Sequence, residues 1–296
     1  MAPESDSPVS VPPVNSSSFT SGLSVADFAA CLDMGLEPVG LAQGFCAVRS
    51  SPGVSPLGTS MGAALYQPAA NDYVANYQCP HGFVSADHRM WGQNYQQTWV
   101  ERIWRQGFTS AYSRMVAEAT ALGAHGIVGV FDNVNPLVAD GIVEFTIRGT
   151  AVRLKGHTTS LAPWSTYLAG QRLAKSFEAG FAPVNIVAAV SSVRVWASCM
   201  TVYLMESAGM MTYGQNPGTT EIEQIVDARV AARALVRQYV HAQLHGDQLH
   251  GVELFIREHD FGHGDLEIQP VLRGNRVRRY KDFSALTAPR LTVSLS

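Results

Sequence analysis

A chain of 296 residues, 46% hydrophobic and only 15% charged, exceeds the usual single-domain size, so two domains with separate apolar cores are expected. The net charge of −3 excludes a general nucleic-acid binder, which would carry a basic domain, and so little charge favours an oligomer that hides apolar surface. Cys31, Cys46, Cys79 and Cys199 are too scattered for a zinc knuckle or a redox pair.

Residues 1–18 hold four Pro and six Ser with almost no large apolar side chain, so they read as a disordered tail with no secretory signal. Ser24-Val25-Ala26-Asp27 then starts a helix in the manner of a capping box, and Val25, Phe28, Ala29 and Leu32 share one face of it. Gly35 ends that helix, and Glu37 onward leads into a first strand. Residues 50–97 form a long insertion rich in Gly, Pro, Ser and Asn, either a functional lid or a loose excursion. Thr98-Trp99-Val100-Glu101 reads as a second capping box, opening a long helix with a possible kink at Gly107. Gly123 stops this helix. A strand follows at once, and then Val143, Phe145 and Ile147 alternate with Glu144, Thr146 and Arg148, the period-2 pattern of a half-buried strand.

The second half repeats the first. Phe19-Thr20-Ser21 through Pro38-Val39 matches Trp164-Ser165-Thr166 through Pro183-Val184 at a constant spacing of 145 residues. Further on, His125-Gly126 matches His250-Gly251 and Arg148-Gly149 matches Arg273-Gly274 at a spacing of 125, which points to an internal duplication. Thr220-Glu221-Ile222-Glu223 opens the second long helix, and Pro270 within the last strand suggests an edge or a bulge. The apolar window from Ile186 to Met205 carries Arg194 and three Ser, so it reads as two sheet strands and not as a membrane span. The fold expected is α+β: two tandem β-α-β-β domains, residues 19–155 and 164–296 joined by a linker at 156–163, each an antiparallel sheet on a long helix with an extra N-terminal helix.

The run Leu122-Gly123-Ala124-His125-Gly126-Ile127-Val128-Gly129-Val130, followed by Gly149-Thr150-Ala151-Val152, resembles the signature of the YbjQ-like, so-called heavy-metal-binding domain family. The resemblance implies dodecin-like units that assemble into closed rings. The second half keeps only Val252-Glu253-Leu254 and Gly274-Asn275-Arg276-Val277 of that wording.

His241, His245, His250, His259 and His263 fall within twenty-three residues. His241 and His245, spaced i, i+4, together with His259 and His263 form the candidate set for a divalent transition metal, with Asp247 and Asp260 as further oxygen ligands. The bland reading is solvated or helix-end histidines. Cys79-Pro80-His81 with Asp87-His88 matches no known ligand spacing. Arg229, Arg233 and Arg237 make a basic ridge on one helix, and Arg273, Arg276, Arg278, Arg279 and Lys281 a second basic cluster, either anion-binding surfaces or solvated faces. Trp91, Tyr95, Trp99 and Trp104 line a pocket or, more ordinarily, belong to a core or interface. No phosphate loop, nucleophile elbow, metalloprotease His pair or Rossmann fingerprint is present. The expected function is a non-enzymatic, cytoplasmic, oligomeric ligand-binding protein that takes up metal. The alternative is a metal-free scaffold that recruits a protein partner.

Overall fold

Ser24 caps the first helix as its sequence suggests. In the computed structural model, which describes residues 20–49, 77–79, 82–84, 92–136, 142–157, 162–207, 221–262 and 264–281, its hydroxyl accepts the Asp27 N–H at 3.2 Å and donates to the Asp27 carboxylate at 2.7 Å. Helix α1 (Val25–Asp33) follows, Gly35 turns the chain with φ of 74°, and β1 (Leu36–Arg49) begins. The expected tail at 1–18 and most of the 50–97 insertion lie outside the described residues.

Within the insertion, β2 (Tyr77–Cys79) and β3 (Gly82–Val84) pair with each other, and β4 (Asn94–Gln96) precedes the long helix α2 (Thr98–Ala121). The second capping box does not form. Gln97 caps α2 without a side-chain bond, and Glu101 is turned into the protein and buried. The helix runs unbroken through Gly107, where a Cβ would fall 2.1 Å from the Phe145 ring; the glycine serves close packing and not a kink. After α2 come β5 (Gly126–Pro136) and β6 (Ile142–Leu154), giving an antiparallel sheet in the order β1-β6-β5.

The second half lays down the same elements. Strand β7 (Trp164–Ser165) leads to α3 (Gly170–Glu178), β8 (Phe181–Val190), β9 (Val193–Val195), α4 (Cys199–Ser207), α5 (Glu223–Leu244), β10 (Gln248–Gly262) and β11 (Asp265–Arg279). Strand β11 lies between β8 and β10, as β6 lies between β1 and β5. The architecture is mixed α+β. The window from Ile186 to Met205 supplies the expected strands and then turns helical from Cys199. Among the described residues no helix is long and apolar enough to cross a membrane.

Pro270 is neither at an edge nor in a bulge of β11. It sits where β8 gives way to β9, between the pairs Val271↔Val190 and Ile268↔Val193, so its missing N–H interrupts no ladder. The spacing of 125 holds for the final strands, since Gly149 pairs with Ala42 and Gly274 with Val187. It does not hold one strand earlier. Val128 pairs with Thr150 and His250 with Asn275, so β5 and β10 correspond three residues out of step with the His-Gly match. The residues that do correspond are Gly129 and Gly251, each in a bulge with φ near 60°.

Alternate residues of β8 face opposite cores. Ile186, Ala188 and Val190 join Phe108, Met115, Phe145 and Ile147 around α2, while Val187 and Ala189 join Val236, Val240 and Leu272 under α5. The layers therefore run first sheet, α2, second sheet, α5. Each half also gives a strand to the other: β7 extends the first sheet beyond β5, and β4 extends the second beyond β9.

Candidate assembly surface

The seam between the halves is built on β7. Trp164 and Ser165 run parallel to Gly126 and Ile127, and the ladder continues irregularly. The Trp164 N–H donates to the His125 carbonyl at 3.1 Å and the Thr166 N–H to Ile127 at 2.9 Å; in return the Val130 and Gly129 N–H groups donate to Thr166 and Leu168 carbonyls at 3.0 Å. Gly126 is required because a Cβ would stand 2.2 Å from the Trp164 indole. Ser165 is fully buried, its hydroxyl 2.8 Å from the Tyr112 hydroxyl and accepting the Ile186 N–H at 3.1 Å. Arg273 crosses the seam to Asp132 at 3.0 Å and lies over the Tyr167 ring. Burial, then the Asp132 charge, pushes the Tyr167 phenol well above its usual range, so it stays protonated.

One side chain fixes this segment from below. Asn275 Oδ1 accepts the Thr166 hydroxyl at 2.8 Å and the Tyr167 N–H at 2.7 Å, and the Leu168 N–H closes a turn on the Thr166 oxygen at 3.1 Å. The first half makes the same set. Thr150 Oγ1 lies 3.3 Å from the Ser21 hydroxyl and accepts the Gly22 N–H at 3.1 Å, while the Leu23 N–H donates to Ser21 Oγ at 3.1 Å. Residues 20–23 are thus held over β6 as 165–168 are held over β11.

What the seam covers in the first half lies open in the second. Among the described residues strand β10 ends its sheet, pairing only with β11. Val252 is 50% exposed, whereas Val130, its counterpart in β5, is 6% exposed; Leu254, Phe255 and Ile256 are also exposed. On the outer face of the first sheet Phe45 is 49% exposed, whereas its counterpart Val190 is 4% exposed beneath the seam. Phe131 of the same sheet is 48% exposed, with the Arg148 guanidinium 5.2 Å above its ring.

No family model matches the chain, and no solved structure matches it. Among curated proteins it is similar to an encapsulin nanocompartment protein of Mycobacterium tuberculosis, with 27% identity over 241 residues covering 79% of this chain and 76% of that protein.

His241 is exposed on α5; His245 caps that helix in the left-handed conformation, φ 48°, so the two imidazoles do not share a helical face. His259 is exposed on β10, and His263 lies outside the described residues. Asp247 is engaged by Arg276 at 2.6 Å and Arg278 at 2.9 Å, and His250 packs edge-on against Phe181. Among the described residues no group of three or more His, Cys, Asp or Glu side chains is placed to hold a metal. His81, Asp87 and His88 lie outside the described residues, as does the side chain of Cys79. His125 is structural, its Nδ1 accepting the Leu154 N–H at 3.0 Å.

The basic features are mostly neutralised within the chain. Arg229 makes a two-pronged pair with Glu258 at 2.9 and 3.0 Å, and Arg273 pairs with Glu253 as well as Asp132. Arg233 and Arg237 remain exposed on α5. Trp104 is core, stacked on Phe108 at 4.9 Å and edge-on to Phe145; Tyr95 is exposed, and Trp91 lies outside the described residues.

Sequence reasoning missed a buried polar network where the halves interlock. Glu101 accepts from Gln96 Nε2 at 3.0 Å, the Tyr239 hydroxyl at 2.8 Å and the Ser192 N–H at 3.3 Å. Glu267, also buried, accepts the Ser192 hydroxyl at 2.8 Å. Nearby, Arg194 pairs with Asp265 at 3.6 Å and lies 3.5 Å over the Phe261 ring, and burial lowers its pKa. These carboxylates are occupied by donors from β4, α5, β9 and the link between β8 and β9, an arrangement that fixes those segments together. Its only signal in the sequence was polar residues at strand and helix positions that the pattern assigned to water.

Proposed function

We propose that this protein is a non-enzymatic structural component that assembles with copies of itself, built as a tandem pair of β-α-β-β units of the YbjQ-like, dodecin-like kind. The observation that carries the reading is the open β10 edge, with Val252 exposed where its counterpart Val130 is buried, and Leu254 and Ile256 exposed where Asp132 and Val134 are half-buried. Long apolar edges are seldom left bare in proteins that work as monomers. The name of the similar mycobacterial protein, which places it with a nanocompartment, supports a role in a multi-copy assembly.

Between the two functions expected from sequence, we favour the metal-free scaffold, because among the described residues no His, Cys, Asp or Glu side chains are grouped to hold a metal. The test is light scattering and elemental analysis on one natively purified sample. The expected result is a metal-free oligomer. A monomer at tens of micromolar would overturn the reading, and stoichiometric metal lost in the His241→Ala/His245→Ala variant would restore metal binding.

A further inference from the structure

We infer that a second copy of this chain docks head to tail on the first, laying its Thr20–Leu23 segment along β10 as Ser165–Leu168 lies along β5. This rests on the self-assembly reading and specifies its interface.

The seam inside the chain is the template. The segment that makes it is repeated at residues 20–23, at the spacing of 145 that also relates β1 to β8. Thr150 contacts that segment at the same two positions at which Asn275 contacts its counterpart, and each segment closes the same turn on its own hydroxyl. It is therefore already in the shape that docks in the intrachain seam, and little conformational entropy is lost on binding. Among the described residues no strand of the same chain lies alongside residues 20–23. The strand that would receive them is also free, and its bulge glycine Gly251 corresponds to Gly129, whose N–H donates across the seam.

The flanking surfaces match. In the seam, Ile186, Ala188 and Val190 of one sheet bury Val130 and Val134 of the other. Their counterparts are Leu41, Gln43 and Phe45 on one side and Val252 and Ile256 on the other. Phe45, Val252 and Ile256 are all exposed and apolar, so joining two copies removes from water what joining two halves removes. Leu254 takes the place of Asp132, which replaces the Arg273 ion pair by a further apolar contact beneath Arg148 of the second copy.

The two junctions are not identical. Arg229, Arg233 and Arg237 stand where α2 carries Phe108, Tyr112 and Val116, as the buried pairs Ala111/Ala232, Met115/Val236 and Ala119/Val240 establish. The helix side of the docking surface is thus more polar than the seam. Val25 replaces Gly170, whose Cα approaches Asp27 too closely for any Cβ, so α1 of the second copy stands further from α3 than α1 does within one chain.

Such a contact joins two different surfaces. Each added copy presents the same free edge again, and growth ends only where rotation closes a ring. The test uses the full chain and light scattering, with circular dichroism and thermal unfolding to show that each variant is folded. Leu254→Glu/Ile256→Lys spoils the receiving edge, and Phe45→Glu spoils the docking face. Each alone is expected to reduce the mass to a single 31.9 kDa chain, while Met200→Glu, exposed but away from the junction, leaves the assembly intact. Mixing the two spoiled variants is the decisive step, because each keeps one good surface: the mixture yields a species of two chains and nothing larger. Folded variants that keep the wild-type mass, or a mixture that stays monomeric, would overturn the docking mode, whereas a monomeric wild type would overturn the self-assembly reading itself.

Discussion

Arg273 reaches Asp132 across the seam at 3.0 Å while its other prong holds Glu253 on its own sheet at 2.7 Å. The two contacts differ in worth. The Asp132 side chain is 8% exposed and cannot recover water if its partner is lost, whereas Glu253 is 49% exposed. Asp132→Ala is expected to destabilise by about 2–4 kcal/mol and Glu253→Ala by less than about 1 kcal/mol. A double-mutant cycle in urea with Arg273→Ala measures both couplings. Equal couplings would show that the seam is not desolvated at this point.

Asn275 and Thr150, both buried, perform one task on different partners. Asn275 is buried, accepts two hydrogen bonds and donates a third to the His250 carbonyl at 3.1 Å, so Asn275→Ala leaves three groups without a partner. A loss of about 2–4 kcal/mol is expected. Thr150→Val strands only the Gly22 N–H and the Ser21 hydroxyl beside exposed chain, for about 1 kcal/mol. Chemical denaturation ranks them.

Gly126 gives its space to Trp164. A Cβ at 2.2 Å from the indole displaces β7, and Gly126→Ala should cost about 1–3 kcal/mol. In a Trp164→Ala background the same substitution should cost almost nothing. Persistence of the penalty in that background would place the strain elsewhere.

Glu101 is surrounded by donors only, from Gln96, Tyr239 and Ser192. Glu101→Gln keeps the shape but turns an amide NH2 toward one of them, and a loss of about 2–3 kcal/mol in thermal unfolding is expected. An unchanged melting temperature would mean that these three contacts contribute nothing to holding β4 and α5 together.

The bonds from Arg278, and then Arg276, hold the Asp247 carboxyl below the usual carboxylate range. Because the folded pKa lies below the unfolded one, the contribution to stability is present above the ordinary carboxylate value and is lost as pH falls through that value toward the folded one. Asp247→Asn should therefore flatten the acid limb of the stability curve and narrow its gap to wild type at the lowest pH. A gap that stays constant with pH would show that the loss is one of packing and not of charge.

Features that depend on neighbours in the chain were legible beforehand. Ser24 caps α1 because its partner, Asp27, is three residues away. The order of helices and strands in each half follows from local periodicity, and the spacings of 145 and 125 located β1 with β8 and β6 with β11. The spacing failed at His250-Gly251 for a physical reason: a longer β10–β11 hairpin moves the register by three residues while the bulge glycine stays in place. The Thr98 box failed because Glu101 found better partners than its own N-cap, including Tyr239 from the other half.

The linear chain by itself determined the order helix, strand, long helix, strand, strand in each half, since those preferences act over a few residues, but not the helix Cys199–Ser207, whose first residues the local pattern assigns to strand. The exchange of β4 and β7 between sheets, the burial of Glu101 and Glu267, and the neutralising of Arg273 and Asp247 were decided by tertiary structure. Most of these rest on contacts between groups far apart in the sequence, and folding selects such pairs by the desolvation and hydrogen bonding they share, which no local pattern encodes.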